Sequence, residues 1–321
     1  MKRSLIGVLV SVVAEVARNY LELRGQQNQL AVARKNAEVQ KETLQITEDR
    51  LRGGRGTDFD VSRSSSLLNL TLSTIPPLEA AIQKAIYRIG VLTGQQPTSL
   101  NAELSIPEPL PSVMPPVALS DPTALLRRRP DIRIAERSLA AATARIGVAT
   151  ADLFPRVTFV GSVGLQAETF TGLGQAGADR WNFGPRITWA ALDLGRVRAR
   201  IKAADAQEEA LLAAYERTVL QALEETEGAL VDFAQEQSRQ QYLETSAQAS
   251  QVASDLAHQR YEGGITDFLI VLDAERTLLE AQDRLAASKT RTVTALIAVY
   301  KALGGAAPAA PVPTPGAVAI R

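Results

Sequence analysis

The chain has 321 residues, of which 45% are hydrophobic and 5% aromatic, and its 35 Lys and Arg balance its 35 Asp and Glu. A formal charge of zero leaves no basic surplus to displace counterions, which argues against nucleic acid as a partner. The absence of Cys removes disulfides, thiolate metal sites and Cys nucleophiles, and a single histidine, His258, leaves little for a His-based metal site or triad. No catalytic residue, metal site or cofactor is expected, and no apolar run reaches the roughly 18 residues that a membrane-spanning helix needs.

Val8 to about Gly53 reads as one long helix. Leu23, Leu30, Ala37, Leu44 and Leu51 recur every seven residues among Gln, Glu, Lys and Arg, the pattern of a coiled-coil seam. At 1.5 Å per residue that helix is on the order of 65 Å long. Met1-Lys2-Arg3 before Ser4–Val13 has the basic start and apolar middle of a short signal peptide; the repeat described below favours helix interior instead. Gly53-Gly54 stops the helix, and Gly56-Thr57-Asp58 supplies a turn and an N-cap. A second helix runs from Asp58 to Ile75. Pro76-Pro77 should interrupt it, because proline removes a backbone donor and clashes with the preceding turn. It restarts at Leu78 and stops near Gly94.

Gln95–Asp121 is a Pro-rich connector, expected to be extended and ordered only by packing. Thr123–Arg127 gives a short helix, Arg127-Arg128-Arg129-Pro130-Asp131 a basic turn whose arginines pair with local carboxylates, with a phosphate site as the alternative, and Asp131–Leu153 an Ala-rich helix. Then the pattern changes. Trp181, Phe183, Pro185, Ile187 and Trp189 alternate with Asn182, Gly184, Arg186, Thr188 and Ala190, and Val157, Phe159, Val163 and Leu165 alternate with Thr158, Ser162 and Gly164. A period of two over about ten residues marks strands whose faces meet two different environments. The loop between them, Glu168–Arg180, carries Gly172, Gly174 and Gly177, which suits a hairpin tip. Lipid against the apolar face is one reading, since membrane strands need about 9–11 residues and collect aromatics at the interfaces. The other is a hairpin of a soluble domain, with Trp181 and Trp189 packed under helices. Two more long helices follow, about Val197–Glu262 and Phe268–Leu303, separated by Gly263-Gly264. Val271, Leu278, Leu285, Thr292 and Val299 repeat every seven. The Ala/Pro-rich 306–321 is expected to be a disordered tail.

Two segments match without gaps. Arg50-Leu51-Arg52-Gly53-Gly54 aligns with Arg260-Tyr261-Glu262-Gly263-Gly264, Val61 with Val271, Leu68 with Leu278 and Gly94 with Gly304, all at an offset of 210 residues (264 − 54 and 304 − 94). Each unit is a long helix, a Gly-Gly tip and a long returning helix, and large-period duplication of this kind points to stacked architecture.

Val13–Gly25, Leu125–Arg133, Ala141–Ala149, Leu153-Phe154-Pro155, Trp189 with Asp193–Arg198, and Arg260-Tyr261 with Gly264 and Val271–Ala274 together resemble the outer membrane efflux duct family typified by TolC, most closely its NodT/OprM-type factors of tripartite, RND-type multidrug efflux systems. The resemblance spans about Val8–Gly305. It implies a mainly α fold with a β-hairpin: long coiled-coil helices forming a periplasmic α-barrel, and transmembrane β-barrel strands contributed to a homotrimer. The segments then read as a first helical-hairpin repeat (1–94), connector and equatorial helices (95–154), a transmembrane hairpin (155–194), a second helical-hairpin repeat (195–305) and the tail. The resemblance further implies an outer membrane location extending into the periplasm, a periplasmic membrane-fusion adaptor and an inner-membrane RND pump as partners, and passive transport. Phe159, Trp181, Phe183, Ile187 and Trp189 would face lipid. Leu269 and Asp273 would form the periplasmic gate, an apolar plug above an acidic ring. Gly53, Gly54, Gly263 and Gly264 would set the tips that dock into the adaptor. The residue pattern leaves open plain coiled-coil packing for Leu269, and for Asp273 a solvated face or a salt bridge to Arg276.

One family hairpin and the family's first helices have no counterpart here, so the chain is expected to be an N-terminally truncated copy. Three copies would supply six strands, fewer than the roughly eight of the smallest membrane barrels. A non-functional truncated duct and a soluble structural coiled-coil protein are therefore the alternatives.

Overall fold

The structure, a computed structural model, describes residues 2–111, 129–173 and 175–305. Helix α1 spans Lys2–Arg52, starting at Lys2 rather than Val8, so Ser4–Val13 is helix interior. The turn at Gly53–Thr57 leads into α2, Asp58–Leu92, whose N-cap is Thr57: its side chain accepts from the Asp60 amide. Pro76 and Pro77 lie inside α2 without ending it, against expectation. Both prolines are exposed, as are Leu72 and Ser73, whose carbonyls lose their amide donors. Water can take those carbonyls, so the double proline costs less here than on a packed face.

The connector is also more than extended chain. It contains a one-turn helix α3, Asn101–Leu104, and Leu104 joins the apolar cluster of Leu23, Ile82, Ile86 and Ile89 between α1 and α2. Polar bonds hold it as well as packing. Arg24, almost wholly buried, donates to Gln27 Oε1 (2.9 Å) and Glu108 Oε2 (3.0 Å), and Gln27 donates to the Leu104 carbonyl (2.8 Å). The short helix expected at Thr123–Arg127, Arg127 and Arg128, and the 306–321 tail lie outside the described residues.

Helix α4 covers Pro130–Ala151. Strands β1 (Arg156–Leu165) and β2 (Asp179–Thr188) pair antiparallel around a 3₁₀ turn at Phe170–Gly172. Helix α5, Leu194–Glu262, is unbroken over 69 residues, and α6 runs Phe268–Ala302. Among the described residues no helix is long and apolar enough to cross a membrane.

The chain divides into two units. The first joins Met1–Pro130 with Gln221–Arg321; the second is Asp131–Leu220. In the first, α1 packs along both α2 and α6. The heptad positions face this core: Leu23, Ala37, Val271, Leu278, Thr292 and Val299 are buried, while Leu30, Leu44, Leu51 and Leu285 are half-buried. The seam is also markedly polar, since Gln40, Thr43 and Thr47 of α1 and Glu275, Ser288 and Thr292 of α6 are buried too. Gly25 permits the close approach of α1 to α6, because a Cβ there would lie 2.1 Å from Thr290 Oγ1. Arg129 closes the far end of α6: it donates to the Ala302 carbonyl (2.7 Å) and pairs with Glu225 (2.7 Å), a carboxylate 96 residues away in sequence rather than a local one.

The 210-residue repeat holds in the backbone. α1 ends at Arg52 and α5 at Glu262; α2 occupies Asp58–Leu92 and α6 Phe268–Ala302. The turn bonds repeat as well. Gly53 N to Asp49 O is matched by Gly263 N to Gln259 O, and Gly94 N to Val91 O by Gly304 N to Lys301 O.

Candidate functional site

Two features stand out: the β-hairpin and the paired helix tips. In the hairpin, Val157 lies opposite Ile187, Phe159 opposite Pro185 and Val163 opposite Trp181. Directly opposed residues point to the same face, so the register gathers the apolar residues of both strands on one side. Thr158, Ser162, Asn182 and Arg186 share the other. Phe183 lies across Gly161, where a Cβ would meet the ring at 2.4 Å, and the Trp181 and Phe183 rings are 6.3 Å apart. None of the described residues covers this face. Phe159 is 85% exposed and Trp181 73%, and Phe183 and Ile187 are similarly open. Among the described residues no helix packs over these aromatics, against the reading that places them under helices. Trp189 departs from expectation in another way. β2 ends at Thr188, and the Trp189 indole donates to the Leu153 carbonyl (3.0 Å), which places it at the strand exit.

At the tips, Gly54 and Gly264 adopt φ of 68° and 70°. This is the left-handed region that closes a helix and that other L-residues enter at a cost of roughly 1–2 kcal/mol. Gly53 and Gly263 have no such requirement, so of the four predicted tip glycines only two are demanded by the backbone. The tips touch through Arg50. Its guanidinium stacks 3.8 Å from the Tyr261 ring centroid and donates to the Tyr261 carbonyl (2.8 Å) and the Glu262 carbonyl (3.3 Å). A cation at the carbonyl end of a helix meets both the unsatisfied acceptors and the negative end of the dipole. Tyr261 in turn packs on Phe268, with centroids 5.4 Å apart, in a cluster with Ala257 and Val271. Burial pushes the Tyr261 phenol above its ordinary range, against the pull of Arg50.

One turn deeper, His258 Nε2 sits 2.9 Å from the buried Glu275 Oε1, which also accepts from Thr43 Oγ1 at 2.6 Å. Three helices meet at this carboxylate. The His258 pKa is raised from its ordinary 6.5, first by the hydrogen bond to Glu275, with burial working the other way. Leu269 and Asp273 lie four residues apart, on one face of the first turns of α6. Leu269 is 45% exposed and Asp273 is exposed. Of the alternatives left open for Asp273, the salt bridge to Arg276 is not formed among the described residues, since Arg276 bonds Glu280 (3.3 Å), and Asp273 lies on a solvated face. Among the described residues no cluster of His, Cys, Asp or Glu is arranged to hold a metal ion.

A family model described as "Outer membrane efflux protein" matches residues 122–305. The "Nodulation protein T" of Rhizobium leguminosarum bv. trifolii is 31% identical over 281 residues, covering 86% of this chain and 59% of its own length. The chain belongs to the outer membrane efflux protein family. The "Solvent efflux pump outer membrane protein SrpC" of Pseudomonas putida is 30% identical over 308 residues, 93% of this chain and 63% of that protein. Among solved structures, the outer-membrane channel OprN superposes with a TM-score of 0.87 at 44% identity, covering 95% of this chain and 68% of that one. The chain thus spans about 60% of the length of these curated efflux-protein relatives.

Sequence reasoning found the hairpin, the tips and the repeat but missed what joins the tips. Arg50 and Arg260 were visible as a matched pair, yet only geometry shows that Arg50 reaches across to α5. The His258–Glu275–Thr43 contact draws on residues 232 positions apart and carries no local signal.

Proposed function

We propose that this chain is the outer membrane channel component of a tripartite, RND-type efflux system, a passive duct through which drugs or other small molecules leave the periplasm. The observation that carries the reading is the hairpin: ten-residue strands with an uncovered aromatic face and a polar opposite face, in a chain otherwise built of long polar helices. Ten residues suffice to cross the hydrocarbon layer as a tilted strand. Phe159, Trp181, Phe183 and Ile187 meet lipid, Trp189 sits at the rim, and Thr158, Ser162, Asn182 and Arg186 line water. Three copies share the barrel. The repeats 1–94 and 195–305 wall a periplasmic α-barrel, whose polar surfaces suit a water-filled lumen. The tips at Gly53-Gly54 and Gly263-Gly264 dock into a periplasmic adaptor, which links the duct to the inner-membrane pump.

At the mouth, Leu269 narrows the passage and three Asp273 carboxylates favour cations. Their placement on one exposed face of α6, free of the Arg276 pairing, supports this role. The duct makes and breaks no bonds, so no catalytic group is needed.

The two tryptophans make the test direct. In proteoliposomes, phospholipids brominated near the headgroup should quench most of the Trp181 and Trp189 fluorescence, while aqueous iodide should quench little. Quenching by iodide alone would overturn the membrane reading and favour a soluble structural coiled-coil protein. In planar bilayers, Asp273→Asn should reduce cation preference; an unchanged reversal potential would remove Asp273 from the gate.

A further inference from the structure

The chain as a whole balances its charges, 35 cationic against 35 anionic side chains, but one surface of it does not. Successive strand residues point to opposite faces, and directly paired residues point to the same one. Arg156 pairs with Thr188, Thr158 with Arg186 and Gly164 with Arg180, which puts all three arginines on the face opposite Phe159, Trp181 and Ile187. No Asp or Glu of the two strands shares that face. The one strand carboxylate, Asp179, is paired with Leu165 and points the other way. All three arginines are exposed. Among the described residues neither Arg180 nor Arg186 forms an ion pair or a side-chain hydrogen bond; the bond at Arg186 is from Thr158 Oγ1 to its backbone carbonyl (3.3 Å). Arg156 is partly neutralised by Asp152 at 3.3 Å, a carboxylate that also lies 3.8 Å from Arg200.

Placement matters as much as sign. Arg186 is the diagonal neighbour of Arg156 in the ladder, where Cα atoms are roughly 7–8 Å apart. Like charges this close repel, and an anion between them removes the repulsion. Arg180 stands further along β2, about 20 Å from Arg186 at roughly 3.3 Å per residue, with the small polar pair Ser162 and Asn182 in between. All three cations are Arg and none is Lys. A guanidinium stays charged at physiological pH, and its planar fork matches a carboxylate or phosphate with two parallel N–H donors.

We propose that this face is an anion-guiding surface: inside the duct, Arg156, Arg180 and Arg186 draw small oxyanions, or the carboxylate and phosphate groups of larger solutes, along the membrane-crossing part of the passage. The inference rests on the reading in which the polar face of the hairpin meets enclosed water, and it adds a substrate class to that reading. A water-filled cleft lined by one sign of charge raises the local concentration of the opposite sign. Each copy that joins the barrel brings the same three arginines. Their sign is opposite to that of Asp273 at the mouth, so the passage changes polarity along its length, acidic where solutes enter and basic where they leave. Salt at about 1 M, which cuts the screening length to about 3 Å, abolishes the guidance.

The two charged regions act in series, so a whole-channel reversal potential sums them and the reporter belongs on the face itself. The chain has no Cys, so Ser162→Cys introduces a single thiol between Arg180 and the Arg156–Arg186 neighbours. In proteoliposomes its reaction rates with an anionic (sulfonatoethyl) and a cationic (trimethylammonioethyl) methanethiosulfonate are compared with those of a free thiol. At low salt the anionic-to-cationic ratio should exceed the free-thiol ratio by about threefold to thirtyfold. It should fall to the free-thiol value in about 1 M salt, and also when Arg156, Arg180 and Arg186 are all changed to Gln. A ratio equal to that of the free thiol at low salt, or one that stays high in the triple Gln variant, overturns the anion surface. Phe159→Cys checks the underlying reading, because lipid should shield it from both reagents. An unreactive Phe159→Cys beside a charge-blind Ser162→Cys leaves the duct standing and removes only the role of the arginines. Reaction at Phe159→Cys as fast as at Ser162→Cys means that both faces meet bulk water, which overturns the duct reading and this inference with it.

Discussion

The tip of the first repeat and the tip of the second share one backbone and differ in their side chains. Both end a helix on a glycine near φ 70° and begin the next helix after five intervening residues, with matching backbone hydrogen bonds at the glycines. Around that common frame, the second tip is packed by Tyr261, Phe268 and Val271 against Arg50, while the first carries Leu51 and Val61 half-buried and Asp58 exposed. Duplication therefore preserved the turn, which backbone sterics dictate, and let the flanks diverge according to what each one meets. The second tip receives Arg50 and Ile46 of the first repeat, whereas among the described residues Leu256 and Arg260 at the equivalent places are exposed.

The largest effect should come from importing one repeat into the other where they differ most in volume. Gly25 corresponds to Gln235, and Gly25→Gln should lower stability by about 1–3 kcal/mol or more, since even its Cβ would overlap Thr290. Chemical denaturation would measure it; an unchanged midpoint would mean that α1 and α6 do not approach so closely. Next come the turns. Gly54→Ala and Gly264→Ala should each cost roughly 1–2 kcal/mol, whereas Gly53→Ala and Gly263→Ala should cost little. Equal costs at all four would deny the special role of the left-handed positions.

Arg50→Ala should destabilise the protomer by about 1–2 kcal/mol, through the lost stacking and carbonyl bonds. Arg260→Ala should leave the isolated protomer unchanged, and thermal melts of the two variants measure that contrast. The smallest effect is pH-dependent. His258 and Glu275 correspond to Glu48 and Ser65, so the first repeat has no such pair. Because the folded-state pKa of His258 is raised, its stabilising contribution is full below the unfolded value of 6.5 and fades as pH rises through the folded value. Glu275, Glu262 and Asp255 are the acidic groups that favour its charged form. His258→Gln should therefore lower the melting temperature at about pH 6 and have little effect at about pH 9. The opposite trend would contradict the assignment.

Much of the architecture was legible in the sequence because each signal was local or periodic. Gly-Gly pairs ended helices at Arg52 and Glu262, heptads marked the buried seam, and strict alternation located β2. The double proline misled because the cost of Pro76-Pro77 depends on whether the freed carbonyls see water, which local sequence does not state. Trp189 continued the alternation by one residue beyond the strand, since periodicity cannot register the Leu153 carbonyl that captures its indole. The polar seam and the Arg50 clasp were invisible for a related reason: their partners lie more than 200 residues away.

The most direct measurement of the central claim is fractionation of the expressed chain, followed by gel mobility in mild detergent with and without heating. The duct reading predicts recovery with the outer membrane and a slow band that heating collapses to the single chain. A chain recovered without detergent, running as a monomer whether heated or not, would contradict it.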